Sequence, residues 1–180
     1  MSSSETTPST PSSPFWKFSL GFYRMDGVPE ACLILQDRSA ADVNIVLFLL
    51  WTAAQGRRLS NDAVRVLTDN VRTWQAGVIA PIRSLRRMLK DAPPLLDKGT
   101  AEVFRTKIKA LELEAERLQQ EAMFALGPSL PTEPATSVED AARAHIAAYQ
   151  AVIGQWFDGA TVDALVKALC LFSPSQPGTR

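Results

Sequence analysis

Residues 15–51 read FWKFSLGFYRMDGVPEACLILQDRSAADVNIVLFLLW, and this stretch decides the fold. From Val43 to Trp51 every side chain but Asn44 is apolar. A helix that is apolar all round has no face to give to water, so this segment is expected at the centre of the molecule. Asp42 is placed to cap it and Gly56 to end it after Gln55. Just upstream, Pro29 suits the first turn of another helix, which carries Ala31, Cys32, Leu33 and Leu35 to about Arg38. The few polar residues of the stretch, Gln36, Asp37, Asp42 and Asn44, gather around the turn between these two helices. The stretch specifies a buried helical core with polar groups at its edge. It specifies no reaction.

Working outward, Ser13 and Pro14 form a cap and first-turn pair that opens a helix to about Arg24, closed by the Asp26-Gly27 turn. Ser60 caps a long segment, Asn61 to Lys90, with Val64, Leu67, Val71, Trp74, Val78, Ile82, Leu85 and Leu89 at helical spacing. Pro81 lies inside it and predicts a kink or break near residues 77–80. A further helix is expected from about Thr100 to Leu126, with the stripe Phe104, Ile108, Leu111, Ala115, Leu118 and Ala122 facing the core and Gly127 as its stop. Ser137 with Asp140 opens a helix to about Trp156, and Thr161 caps a last one to about Phe172. Alternating strand patterns are absent. The reading is an all-α bundle of about six or seven helices over residues 14–172, with a kinked fourth helix. It is flanked by a disordered Ser/Thr/Pro-rich tail at 1–13 and a flexible tail at 173–180.

Composition narrows the function classes. Lys plus Arg and Asp plus Glu number 19 each, so bulk charge selects neither nucleic acid nor an anionic membrane. The longest apolar run is too short to span a bilayer, which takes about 20 residues. The N-terminus lacks the basic and apolar regions of a secretory signal, and a cytoplasmic location is the default expectation. Cys32 and Cys170 both sit in apolar helical contexts and are expected as buried, reduced thiols. The one histidine, His145, has no metal-ligand spacing around it and is expected at the surface or half-buried. Nucleophile-elbow, phosphate-loop and dinucleotide motifs are absent, as are the ExxH pairs of di-iron bundles. No catalytic residue, metal ligand or cofactor is indicated.

FWKFSL at 15–20, Tyr23, Gly27-Val28, ACLILQD at 31–37 and DVNIVLFLLW at 42–51 together resemble a proteobacterial family of small helical proteins known as a domain of unknown function. Trp74, the VIAPIRSLRRMLK run at 78–90 and the KALELEAE run at 109–116 extend the likeness. The resemblance implies a bacterial helical protein and brings no catalytic residues with it.

Two constellations are candidate sites. Tyr23, Gln36, Asp37 and Asn44 are a set that converges either on a small polar ligand or on a structural network, since buried polar groups need partners in either case. Arg65, Arg72, Arg83, Arg86, Arg87 and Lys90 give residues 57–90 a cationic face, suited to phosphates of RNA, a nucleotide or a lipid headgroup. The neutral total charge favours the plainer reading, a solvated face or one paired with the acids Glu112, Glu114 and Glu116 of the following helix. The EAERLQQEAM stretch within that helix looks like coiled coil, over too few heptads to demand a partner. The favoured expectation is an interaction or accessory module whose partner is another protein. An anion binder and a small-ligand protein or enzyme are the alternatives, and the oligomeric state stays open.

Overall fold

The computed structural model describes residues 12–91 and 95–172, and among these the fold is all-α. Helix α3 (Val43–Ala54) is the axis of the core: Ile45, Val46, Leu47, Phe48, Leu49, Leu50 and Ala53 are all buried. Around it pack α1 (Pro14–Phe22), α7 (Val138–Ile153) and the C-terminal half of α6 (Lys98–Leu126). Helix α2 (Val28–Ser39) lies against α8 (Gly159–Leu171), and α4 (Asn61–Trp74) against α7. Aromatic rings join α1, α3 and α6. Phe15 meets Phe48 edge-on at 5.1 Å between centroids, and Trp51 contacts Phe15 at 5.5 Å and Phe124 at 5.7 Å.

The caps fall where local chemistry puts them. Side-chain oxygens of Ser13, Asp42, Ser60 and Ser137 accept first-turn N–H groups of α1, α3, α4 and α7. Asp97 does the same for α6. For α8 the cap is Asp158 rather than Thr161. Thr161 is the third residue of the helix and gives both its N–H and its hydroxyl to the Asp158 carboxylate. Gly127 does not end α6 in a left-handed conformation. It continues at φ −48° into a short 3-10 turn, and its lack of a side chain is used for packing, since a Cβ there would stand 3.3 Å from Phe48 Cζ.

The kink expected near Pro81 is a π-helical turn, Gln75–Ile79, after which α5 (Ala80–Met88) begins with Pro81 in its first turn. A π turn holds an extra residue and rotates everything beyond it by about 100°. The absence of strands needs one correction. Arg58–Leu59 (β1) pairs antiparallel with Thr132–Glu133 (β2), a bridge too short to carry an alternating pattern. Cys170 is exposed, not buried, because α8 gives Leu165, Val166, Ala168 and Leu169 to the core and Cys170 falls on the other side. Cys32 is buried, and burial pushes its thiol up to about 12. The expected tails lie outside the described residues apart from Ser12 and Ser13. No helix among the described residues is long and apolar enough to cross a membrane.

Candidate functional site

Helix α6 carries two lengthwise stripes of opposite character. One is polar and turned inward. Glu112, Glu116, Gln119 and Gln120 recur at helical spacing and lie on one face. Gln119 Nε2 donates to Asp42 Oδ2 at 2.6 Å, and Gln120 Nε2 donates to Asn44 Oδ1 at 2.7 Å. The other Asp42 oxygen caps α3 through the Asn44 N–H at 2.9 Å, and the Asp42 N–H donates to the Tyr149 hydroxyl of α7 at 2.9 Å. Both glutamine carbonyls are left without a partner in the protein, because Asp42 and Asn44 Oδ1 present acceptors and draw the amide nitrogens toward them. Burial pushes the Asp42 carboxyl up, and the Gln119, Asn44 and Ile45 donors oppose this.

One turn further along α6 the stripe becomes ionic. Arg83 Nε meets Glu112 at 2.8 Å, Arg83 Nη2 meets Glu116 at 2.7 Å, and Arg86 binds the second Glu112 oxygen. Burial alone would raise the Glu112 carboxyl, but its arginine hydrogen bonds outweigh that and hold it below the usual range. Glu116, with fewer donors, is pushed up by burial. Tyr23 stands half-exposed beside this network, its hydroxyl raised chiefly by burial. Glu112→Gln removes the charge that both arginines share and is expected to destabilise the fold by about 1–2 kcal/mol. The loss should shrink as pH falls through the carboxylate range, where the native glutamate is itself protonated. Urea titrations of both proteins at two pH values measure it.

The sequence-derived sites are thus redistributed. Asn44 is buried on Gln120, whereas Gln36 and Asp37 sit at the surface, bonded to each other and, for Asp37, to Arg87 at 2.7 Å. No hydrogen bond among the described residues joins Gln36 or Asp37 to Asn44. Of the cationic set, Arg83 and Arg86 turn inward to α6, Arg87 pairs with Asp37, and Arg72 pairs with Asp69 of its own helix. The ion pairs among the described residues do not include Arg65 or Lys90. His145 is fully buried, contrary to expectation. Its Nε2 accepts the Leu59 N–H at 2.7 Å and its Nδ1 donates to the Leu49 carbonyl at 2.9 Å, which ties α7 to β1 and α3. Among the described residues no group of three or more His, Cys, Asp or Glu side chains is placed to hold a metal ion.

The second stripe of α6 is apolar and turned outward. Of the stripe predicted to face the core, Ile108 and Ala115 are buried, but Phe104, Leu111 and Leu118 are 45 %, 53 % and 44 % exposed. Trp74 and Leu85, on the antiparallel α4–α5 side, are also exposed. Trp74 Nε1 donates to the Ala115 carbonyl at 3.1 Å and so pins the indole across to α6. Between α4 and α6 runs a groove of about 620 Å³ lined by Asn70, Val71, Trp74, Leu118, Ala122 and Met123, with no charged side chain. A second hollow of about 570 Å³ lies at the far end of the α5–α6 hairpin, lined by Leu96, Gly99, Thr100, Val103, Phe104 and Lys107 among others. What sequence reasoning missed was the sidedness of this hairpin. The signal was present as Glu112, Glu116 and Gln119 recurring beside an apolar stripe, which leaves both stripes no common interior.

No curated protein and no solved structure matches the chain. A family model described as "Protein of unknown function (DUF2390)" matches residues 14–123, a span that holds α1 through most of α6 and excludes α7 and α8. It includes both members of each α3–α6 and α5–α6 polar pairing described above, and with well over half its length matched the chain belongs to the DUF2390 family.

Proposed function

We propose that this protein is an interaction module that docks an amphipathic helix of a partner polypeptide on the outward apolar face of α4, α5 and α6. The observation that carries the reading is concentration. Among the described residues ten of the sixteen exposed large apolar side chains lie between Trp74 and Leu118, a quarter of the chain. Scattered apolar side chains, such as Leu113 on the other side of α6, are ordinary on a surface, whereas a ridge such as Phe104, Leu111 and Leu118 beside a groove between two helices is the form of a helix-binding site. The uncharged lining favours an apolar helix face over an anion. Four of the six cations once grouped as an anion site have carboxylate partners, which weakens the nucleic-acid alternative. An enzyme reading has less support still, because Asp42, Asn44, Glu112 and Glu116, the acids and amide nearest the hairpin, are engaged by Gln119, Gln120, Arg83 and Arg86.

A displayed library of amphipathic helical peptides, selected on the wild-type protein, supplies the probe. A selected peptide is expected to bind with a negative heat-capacity change and little dependence on salt, and to lose about tenfold or more in affinity against Leu118→Glu. Equal binding to wild type and Leu118→Glu would defeat the reading. Steep salt-dependent retention of RNA or heparin, lost on replacing Arg65 and Lys90, would favour the anion alternative instead.

A further inference from the structure

Building on this docking reading, we infer that the helix seated on the face is α6 of a second copy, packed antiparallel about a two-fold axis at Leu111. Phe104, Leu111 and Leu118 are spaced by seven residues in each direction from Leu111. Seven residues rise about 10.5 Å and drift only about 20° around the helix, so the three side chains form one straight ridge about 21 Å long. A two-fold axis at its middle sets Phe104 against the partner's Leu118 at both ends, the self-complementarity that an isologous dimer requires.

The charges choose the antiparallel direction. Lys107 and Glu114 lie on the same flank of the ridge, four residues before and three residues after Leu111. Antiparallel pairing brings Lys107 to within about 1.5 Å of the level of the partner's Glu114, on both sides of the axis. In a symmetric parallel pair the flank that carries Lys107 and Glu114 would face the partner's opposite flank, and this pairing would be lost. Glu114 is exposed and now engages only Arg117 of its own helix, and Lys107 has no ion pair among the described residues.

The two hollows agree with the same axis. Counting outward from Leu111 along α6, Phe104 falls opposite the partner's Leu118 and Thr100 opposite the partner's Ala122. The hollow at the hairpin's end is therefore placed over the groove at the partner's base, twice over. Two hairpins joined this way make a four-helix arrangement with Leu85 and Trp74 along its seam.

Light scattering with size exclusion on the full chain tests this. The wild type is expected to be a dimer, and Leu111→Arg a monomer with unchanged circular dichroism, since Leu111 contributes nothing to the buried core. Lys107→Glu should weaken the dimer roughly fivefold through two symmetric pairs, and adding Glu114→Lys should restore it. In a Cys170→Ser background, Leu111→Cys should oxidise to a covalent dimer and Lys109→Cys, on the far side of α6, should not. A wild type that is monomeric at every concentration overturns the inference, as does a dimer indifferent to Leu111→Arg or without the cross-link at 111. If, in such a case, selected peptides still distinguish wild type from Leu118→Glu, the docking reading survives the loss. If they do not, both fall.

Discussion

His145→Ala is expected to lower the unfolding free energy by about 3–4 kcal/mol. The imidazole is fully buried and satisfies the Leu59 N–H and the Leu49 carbonyl at once. Truncation leaves the β1 N–H without an acceptor, at a cost of about 1–3 kcal/mol, and opens a cavity among α3, α4 and α7. The geometry also fixes the sign of a pH effect. Nε2 accepts and Nδ1 donates, so the native ring is neutral, and burial together with Arg58 holds its pKa below the ordinary 6.5. The unfolded chain therefore binds a proton before the folded one does. This residue's contribution is complete above about pH 6.5 and declines as pH drops toward the lowered folded value. Urea unfolding at about pH 8 and about pH 5 should show the wild type losing this increment and His145→Ala lacking it. Equal pH slopes for the two proteins would contradict the assignment of a neutral ring.

Asp42→Ala is expected to cost about 3 kcal/mol, with Asp42→Asn within about 1 kcal/mol of wild type. Alanine removes the cap of α3, about 0.5–2 kcal/mol, and strands the buried Gln119 amide. Asparagine keeps an oxygen for the Asn44 N–H. It also offers an amide to the Gln119 side chain, which can turn over and use the carbonyl that now lacks a partner. Replacing the carboxylate further removes a charge that burial disfavours. Chemical denaturation of the pair separates the hydrogen-bonding role of Asp42 from its charge. A large loss in both variants would mean that the charge itself, through Arg83, holds the hairpin to the body.

Much of this molecule is legible locally. Ser13, Asp42, Ser60 and Ser137 cap the helices that their position before apolar runs implies, and the apolar run from Val43 is the core axis. What escaped depends on partners remote in sequence. His145 finds its two backbone groups 86 and 96 residues away, so a scan for nearby ligands leaves it without a role. The cationic face assumed one unbroken helix. The π turn at Gln75–Ile79 changes the facing of everything after it, and Arg83 and Arg86 end up against Glu112 while Arg65 and Arg72 look outward. The ends of α8 show a subtler limit, since Asp158 and Thr161 are both capping residue types and only the backbone distinguishes cap from third residue.

The glutamine pair on α6 has a mechanical implication. Sliding that rod by one turn toward its C-terminal end or its N-terminal end would offer Ala115 or Met123, respectively, to the Asp42 carboxylate, and neither side chain can donate a hydrogen bond. Greasy contacts tolerate such slippage; this contact does not. Gln119 and Gln120 thus act as a keyway that fixes how far the opposite end of α6, from Lys98 onward, reaches beyond the body, and so how far from the core its exposed ridge is held.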